Sequence, residues 1–137
     1  MNAKEKILIA IVGMPGTVVL RAELNRFASY SQVSKILANL VREGRLIRAG
    51  KGIFVKTKIS SITGNTIASG SLETVATEAL QKLGIEAGPG QATDDYNKRR
   101  TTQIPGKFVV STGNRRISRR IEIGGRHLLY ENKYKAR

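Results

Sequence analysis

The sequence contains no cysteine and a single histidine, His127. Without thiols there is neither a disulfide framework nor a thiolate metal site, and one imidazole argues against a zinc cage, so we expect no cofactor. Acidic residues are also scarce: 10 Asp and Glu stand against 24 Lys and Arg, which leaves a formal net charge of +14. This excess predicts a polyanionic partner, because cations that neutralise phosphates release condensed counterions and gain affinity without reading a base.

Long apolar runs are missing as well. The longest, residues 7–12, is far shorter than the roughly 20 residues that a membrane span needs. No apolar segment ending in a small-residue cleavage site stands near the N-terminus, so the sequence predicts a cytoplasmic protein without a membrane partner. At 137 residues, of which 40% are hydrophobic, the chain can bury the core of one ordinary domain or two very small ones.

The most regular pattern is that of an amphipathic helix over residues 29–43. Apolar residues recur at the spacing of one helix face, at Val33, Ile36, Leu37, Leu40 and Val41. Ser29 suits the N-cap, and Gly44 suits the left-handed position that ends a helix. The polar positions carry no acid and can donate to phosphates and base edges: Tyr30, Ser31, Gln32, Ser34, Lys35, Asn39 and Arg42. Taken alone, this helix fits a DNA recognition helix and the solvated side of a small core equally well.

The flanking segments favour the recognition helix. Residues 2–11 predict a helix, residues 17–20 a short strand, residues 21–27 a second helix, and residues 45–56 a β-hairpin around a Gly-Lys-Gly turn. The order helix, strand, helix, helix and hairpin is that of a winged helix-turn-helix domain, which we predict over residues 1–56. The hairpin bears four cations and no anion, namely Arg45, Arg48, Lys51 and Lys56. We expect Ser31, Gln32 and Lys35 to enter the major groove while Arg45, Arg48 and Lys51 contact phosphates.

The second half reads as a smaller unit. Residues 57–70, rich in Ser, Thr and Gly, predict a surface connector, and residues 71–137 predict a small α+β domain. Its expected elements are a helix over residues 72–83 and a meander of about three strands. Four arginines, Arg115, Arg116, Arg119 and Arg120, are expected to extend the contacts to the DNA backbone. The whole chain is therefore predicted to be an α+β protein with a short antiparallel sheet after the winged helix.

Short motifs recur in a recognisable order along both halves. The first half contains Leu40-Val41, Gly44, Leu46-Ile47-Arg48 and Gly52-Ile53-Phe54, and the second contains motifs within residues 88–92, 101–105 and 108–115. In this order the chain resembles the AbiEi-like antitoxins of type IV toxin–antitoxin systems, over nearly its whole length. The chain departs from that pattern at two places. It has Gly90-Gln91 where the antitoxins often have Ser-Gly, and it has residues 97–100 where the antitoxins usually have Leu-Gly-Leu.

The resemblance implies an antitoxin that represses its own operon by binding double-stranded DNA. It also implies a functional pairing with a nucleotidyltransferase-like toxin, antagonised without a tight protein complex. A winged helix can bind an inverted repeat as a monomer on each half-site or as a homodimer, and the sequence leaves both open.

Three other functions remain as alternatives. A metal-dependent nuclease would need Asp94, Asp95, Glu131 and Lys133 to converge, but these residues stand among turn formers and in the tail, so we expect no enzyme. An RNA- or ribosome-associated protein would carry the same charge, although readers of single strands need exposed aromatics, and Phe108 lies in an apolar run. A protein-interaction module would use the cationic second half to hold an acidic partner.

Overall fold

The computed structural model describes residues 2–89, 108–112, 117 and 119–131. Within them lie three α-helices, α1 (Ala3–Gly13), α2 (Tyr30–Arg42) and α3 (Leu72–Lys82), and one 3-10 helix (Arg21–Leu24). The strands of the first half are β1 (Val18–Leu20), β2 (Leu46–Gly50), β3 (Ile53–Ile59) and β4 (Thr66–Ala68). Those that follow α3 are β5 (Gly88–Pro89), β6 (Val109–Ser111), β7 (Glu122–Ile123), β8 (Arg126–His127) and β9 (Leu129–Glu131).

Each α-helix begins at a polar side chain that accepts a hydrogen bond from the backbone of its first turn. Asn2 accepts from the Glu5 N–H at 2.9 Å, and Ser29 and Ser71 do the same for α2 and α3 at 3.2 Å. These bonds satisfy donors that have no partner inside the helix. Gly44 ends α2 with φ +78°, a conformation that side-chain-bearing residues rarely adopt. The predicted helix over residues 29–43 and both of its end signals are confirmed.

An antiparallel sheet with the strand order β1-β3-β2 lies at the centre of the described structure. Successive side chains of β1 and β3 point to opposite faces, so the sheet contributes to two cores. Val19 and Phe54 pack with α1 and α2 on one face, whereas Val18 and Val55 pack with α3 on the other. The helices therefore lie on both sides of the sheet, and α2 shares its side with α1.

The second core also contains Val110, Ile121 and Leu128 from the C-terminal part of the chain. Residues from both predicted domains therefore pack in one cluster, and the division at residues 56 and 71 does not separate the two cores. Residues 57–70, predicted as a connector, contain the end of β3 and all of β4, which pair in register from Thr57–Ala68 to Ile59–Thr66. The Ser- and Thr-rich composition concealed this pairing, because a strand with little apolar alternation gives no periodic signal.

Two other local predictions hold only in part. The helix predicted over residues 21–27 is a 3-10 helix limited to Arg21–Leu24, in which Leu24 is buried as expected. Of the predicted three-strand meander, the described residues form one hairpin, between β7 and β8, whereas β6 pairs antiparallel with β5 and parallel with β9. Parallel pairing of distant strands leaves no local signature in a sequence, unlike a tight hairpin turn.

Two charged side chains of α3 hold β1 in place. The Glu78 carboxylate accepts hydrogen bonds from the backbone N–H groups of Thr17 and Val18 at 2.8 to 3.1 Å. The Lys82 ammonium donates to the Val18 carbonyl at 2.6 Å and to the Glu23 carboxylate at 3.0 Å. Buried backbone groups at the start of β1 are thus satisfied by a helix some sixty residues away in the chain.

The chain is a small α+β protein with short, mainly antiparallel sheets. None of the helices in the described part of the chain is long and apolar enough to cross a membrane.

Candidate nucleic-acid interface

The polar face of α2 points away from both cores. Val33, Ile36, Leu37 and Leu40 are buried, and this fixes the orientation of the helix about its axis. Tyr30, Ser31, Gln32, Lys35 and Arg42 are exposed, while Ser34 and Asn39 are half-buried. The residues expected to read DNA therefore lie on the outer surface of the protein, and none of them is needed to fill the core.

The β2–β3 hairpin lies beside this helix, and its turn is the predicted one. Gly52 adopts φ +72°, and β2 pairs with β3 from Leu46–Lys56 to Gly50–Ile53 with a bulge after Arg48. Arg48 and Lys51 are exposed close to this turn. Lys56 is not available in the same way, because its ammonium donates to the Met14 carbonyl at 2.6 Å.

Arg45 and Arg42, at the base of the hairpin and the end of α2, have local partners. The Arg45 guanidinium lies 3.4 Å from the Glu43 carboxylate, which also forms an ion pair with Lys4 at 2.8 Å. The hydrogen bond from Lys4 lowers the pKa of Glu43, so this carboxylate stays charged. Arg42 donates to the Asn39 side chain at 3.0 Å. These contacts are exposed and exchange readily with water, so both guanidinium groups can still reach an anion.

A groove of about 770 Å³ separates α2 from the hairpin. It brings together five of the predicted residues, Tyr30, Ser34, Arg48, Lys51 and Arg119. The remaining predicted residues within the described ranges lie outside it: Ser31, Gln32, Lys35, Asn39, Arg42, Arg45 and Arg120. The predicted set therefore divides into groove residues, residues on the outer side of α2, and two arginines elsewhere, Arg45 and Arg120.

Arg21 also lines the groove, although the sequence did not predict it as a site residue. Its guanidinium lies 3.7 Å from the centre of the Tyr30 ring and donates to the Tyr30 carbonyl at 2.5 Å. The stacking holds the exposed ring of Tyr30 against the entrance of the groove. A basic residue at the start of a short helix gave no separate signal, since a solvated arginine is common there.

The C-terminal part of the chain supplies a fourth cation to the groove. Arg119 donates from its guanidinium to the Lys51 carbonyl at 2.9 Å, and its own carbonyl accepts from the Tyr130 hydroxyl at 2.6 Å. The neighbouring Arg120 carbonyl passes so close to Gly50 that a Cβ there would lie 2.3 Å from it. The close approach requires glycine at position 50 and allows the segment around Arg119 to pack against the hairpin.

The other predicted arginines are placed differently. Arg120 forms an ion pair with Glu122 at 3.0 Å and faces a second, smaller cleft beside the hairpin. Arg115 and Arg116 lie outside the described residues, as do Asp94, Asp95 and Lys133 of the alternative nuclease site. Within the described ranges, no group of three or more His, Cys, Asp or Glu side chains is arranged to hold a metal ion.

Removing the Tyr130 hydroxyl is expected to loosen Arg119. Tyr130→Phe should lower the free energy of unfolding by about 1 kcal/mol, the usual net worth of one hydrogen bond. Burial raises the pKa of Tyr130, so the hydroxyl keeps its proton to a higher pH than a free tyrosine. The stabilisation should therefore be complete below about pH 10 and disappear as the pH rises through the folded-state pKa. Urea unfolding of both proteins across this range measures it, and a constant difference between them would contradict the assignment.

Comparison with known proteins identifies a family, but the description of that family names no activity. A family model described as a family of unknown function (DUF6088) matches residues 6–135. No curated protein matches the chain.

Proposed function

The chain belongs to the DUF6088 family, whose function is unknown, and we propose that it binds double-stranded DNA in a sequence-specific manner as a transcriptional repressor. The observation that carries the proposal is the position of α2, whose polar face is exposed, across a groove from a cationic hairpin. In winged helix-turn-helix proteins, one helix enters the major groove of DNA and a neighbouring hairpin contacts the DNA backbone.

The sheet topology supports the same proposal. In a winged helix, a short strand between the first two helices pairs with the second strand of the hairpin, and the strand order β1-β3-β2 has this form. The pairing fixes the hairpin to the body of the fold, because Val19 lies opposite Phe54 and both pack against the helices. A rigid hairpin at a fixed distance from α2 can meet the phosphates on the edge of the groove that the helix enters.

The two parts of the interface have different chemistry, and this assigns them different roles. Gln32 offers an amide at the start of α2, which can pair with the two polar atoms of an adenine edge. Lys51, at the hairpin turn, is a point charge that serves any phosphate. We therefore assign sequence reading to α2 and general affinity to the hairpin.

This assignment predicts opposite effects for two single substitutions. Gln32→Ala should reduce discrimination between a duplex selected from a random pool and a scrambled duplex, by about tenfold if one good base contact is lost. Lys51→Ala should weaken both duplexes equally and lower the slope of log affinity against log salt by about 0.9. Fluorescence anisotropy titrations at several salt concentrations measure both quantities. An equal loss for both duplexes on Gln32→Ala would count against the role of α2.

Single-stranded RNA is the second candidate ligand, and one observation favours it. Tyr30 is 72% exposed beside the cationic groove, so its ring is accessible to a base. If RNA is the ligand, Tyr30→Ala should cost more affinity than Gln32→Ala, and single strands should bind more tightly than duplexes at matched salt. The duplex proposal requires the reverse order.

The resemblance to AbiEi-like antitoxins extends the proposal to repression of the protein's own operon and to a nucleotidyltransferase-like toxin as the functional counterpart. A reporter fused to the native promoter should be repressed by the wild-type chain and released by Gln32→Ala. Repression of unrelated promoters to the same degree would contradict an operator-specific role.

A further inference from the structure

The groove between α2 and the hairpin has an apolar floor as well as a cationic rim. The floor is formed by Leu20, Leu37, Ala38, Val41, Phe54 and Leu83. The rim carries Arg21, Arg48, Lys51 and Arg119, and no Asp or Glu is among the described residues that line the groove. A trough for DNA phosphates needs only the donors, so the apolar floor has no use in that role.

We propose that this groove binds a small amphipathic anion, an aromatic or acyl body that carries one carboxylate, sulfonate or phosphate. The apolar body would lie against Val41 and Phe54, and the anionic group would meet Arg48 and Lys51 at the hairpin turn. Ser34, half-buried on α2, adds a hydroxyl to the lining. Apolar walls with a few polar groups at defined positions are the usual composition of small-molecule sites.

The size of the groove favours a small molecule over a protein segment. Its volume of about 770 Å³ falls within the range of roughly 300–1,000 Å³ that drug-sized ligands occupy. Arg119 also lines the groove, where its guanidinium donates to the Lys51 carbonyl. Tyr30 and Val41 are the large hydrophobic side chains of the lining that remain exposed, at 72% and 36%, and a ligand would cover both.

The site would also regulate the proposed function, and this consequence rests on the proposal that the protein binds DNA. An anion held between Arg48 and Lys51 would neutralise the two cations that the hairpin offers to phosphates. Ligand and duplex would then compete for the same side chains, and each would lower the affinity for the other by the same factor.

Two fluorescent probes that differ in charge test the site without DNA. Anilinonaphthalene sulfonate is an aromatic anion, and N-phenylnaphthylamine has nearly the same rings without the sulfonate. We expect one sulfonate probe to bind per chain, about tenfold more tightly than the neutral probe, because charge-assisted hydrogen bonds contribute in that range. Equal affinities for the two probes, or several weak equivalent sites, would overturn the proposal.

Three variants locate the probe. Arg48→Gln should weaken the sulfonate probe about tenfold and leave the neutral probe unchanged. Ala38→Gln, on the exposed part of α2, should fill the groove and weaken both probes. Arg126→Gln is the control, because Arg126 pairs with Glu73 at 3.0 Å, on the α3 side of the sheet, and should change neither. Circular dichroism confirms that each variant is folded, and unchanged binding in folded Arg48→Gln and Ala38→Gln would place the probe elsewhere and refute the site.

A competition experiment separates this inference from the proposed function. Saturating anilinonaphthalene sulfonate should lower the affinity of the wild-type protein for duplex DNA, while N-phenylnaphthylamine at the same concentration should have a smaller effect. Binding of the probe by a protein that binds no duplex would refute the DNA proposal and leave the ligand site standing. Duplex binding that the probe does not disturb would refute the regulatory role.

Discussion

Reversing the charge of Lys35 and Lys51 together is expected to reduce the affinity for duplex DNA by about a thousandfold. Lys35 lies on the outer side of α2 and Lys51 at the hairpin turn, so the two substitutions affect both parts of the interface. Each glutamate removes an attraction and places a carboxylate against the phosphate backbone, and like charges in contact cost several kcal/mol. At 1.4 kcal/mol per tenfold, about 4 kcal/mol for the pair gives the expected loss.

The control for this prediction has the same net charge. Lys6→Glu with Lys58→Glu changes the total by the same amount, at exposed positions on α1 and β3 that do not line the groove. We expect this variant to lose less than tenfold, through the weaker long-range field alone. Equal losses in the two double variants would mean that only net charge matters, and α2 and the hairpin would then form no interface.

Salt dependence provides a second measurement on the same pair. Replacing Lys35 and Lys51 with glutamine removes the charges without adding repulsion. If both contact phosphates, the slope of log affinity against log salt should decrease by about 1.8. If Lys35 instead contacts a base edge, the decrease should be about 0.9, and the loss of affinity should depend on sequence. An unchanged slope would remove both lysines from the interface.

The sequence predicts the parts of this structure that are stabilised locally. The helix over residues 29–43 has a cap, an apolar stripe and a glycine stop within a few residues of one another, and all three appear in α2. The β2–β3 hairpin has the same property, because Gly52 sets its turn and short apolar runs flank it. Exposure of Gln32 and Lys35 follows from the same stripe, since the buried side of a helix determines its outer side.

The parts that the sequence does not predict depend on contacts between distant residues. Nothing near Arg119 indicates that its guanidinium meets the Lys51 carbonyl, and nothing near Gly50 indicates the approach of the Arg120 backbone. The groove is missed for the same reason, because Leu83 and Arg119 reach it from segments that were assigned to another domain. Periodicity reports which side of an element is buried, but not which other element covers it.

The anchoring of β1 by α3 is another such contact. Glu78 lies on α3, a helix that the sequence predicts correctly, but a glutamate on a helix is usually a solvated charge and gives no signal of its own. In the structure it is half-buried and accepts from two backbone N–H groups, while Lys82 holds the Val18 carbonyl beside it. These bonds connect the start of the central sheet to α3, so their loss should lower the free energy of unfolding of the protein.

Glu78→Ala is therefore expected to lower the free energy of unfolding by about 3 kcal/mol. The substitution leaves the N–H groups of Thr17 and Val18 without their acceptor, and a hydrogen bond to a charged group contributes about 1.5–3 kcal/mol. We expect each of the two bonds to contribute near the lower end of this range, because water can reach part of the site and hydrogen-bond to the freed N–H groups. Thr77→Ala, an exposed neighbour on the same helix, should change stability by less than about 0.5 kcal/mol. Glu78→Gln keeps one acceptor oxygen and should fall between the two. Urea unfolding of the three variants measures the order, and a Glu78→Ala protein as stable as Thr77→Ala would show that β1 does not depend on α3.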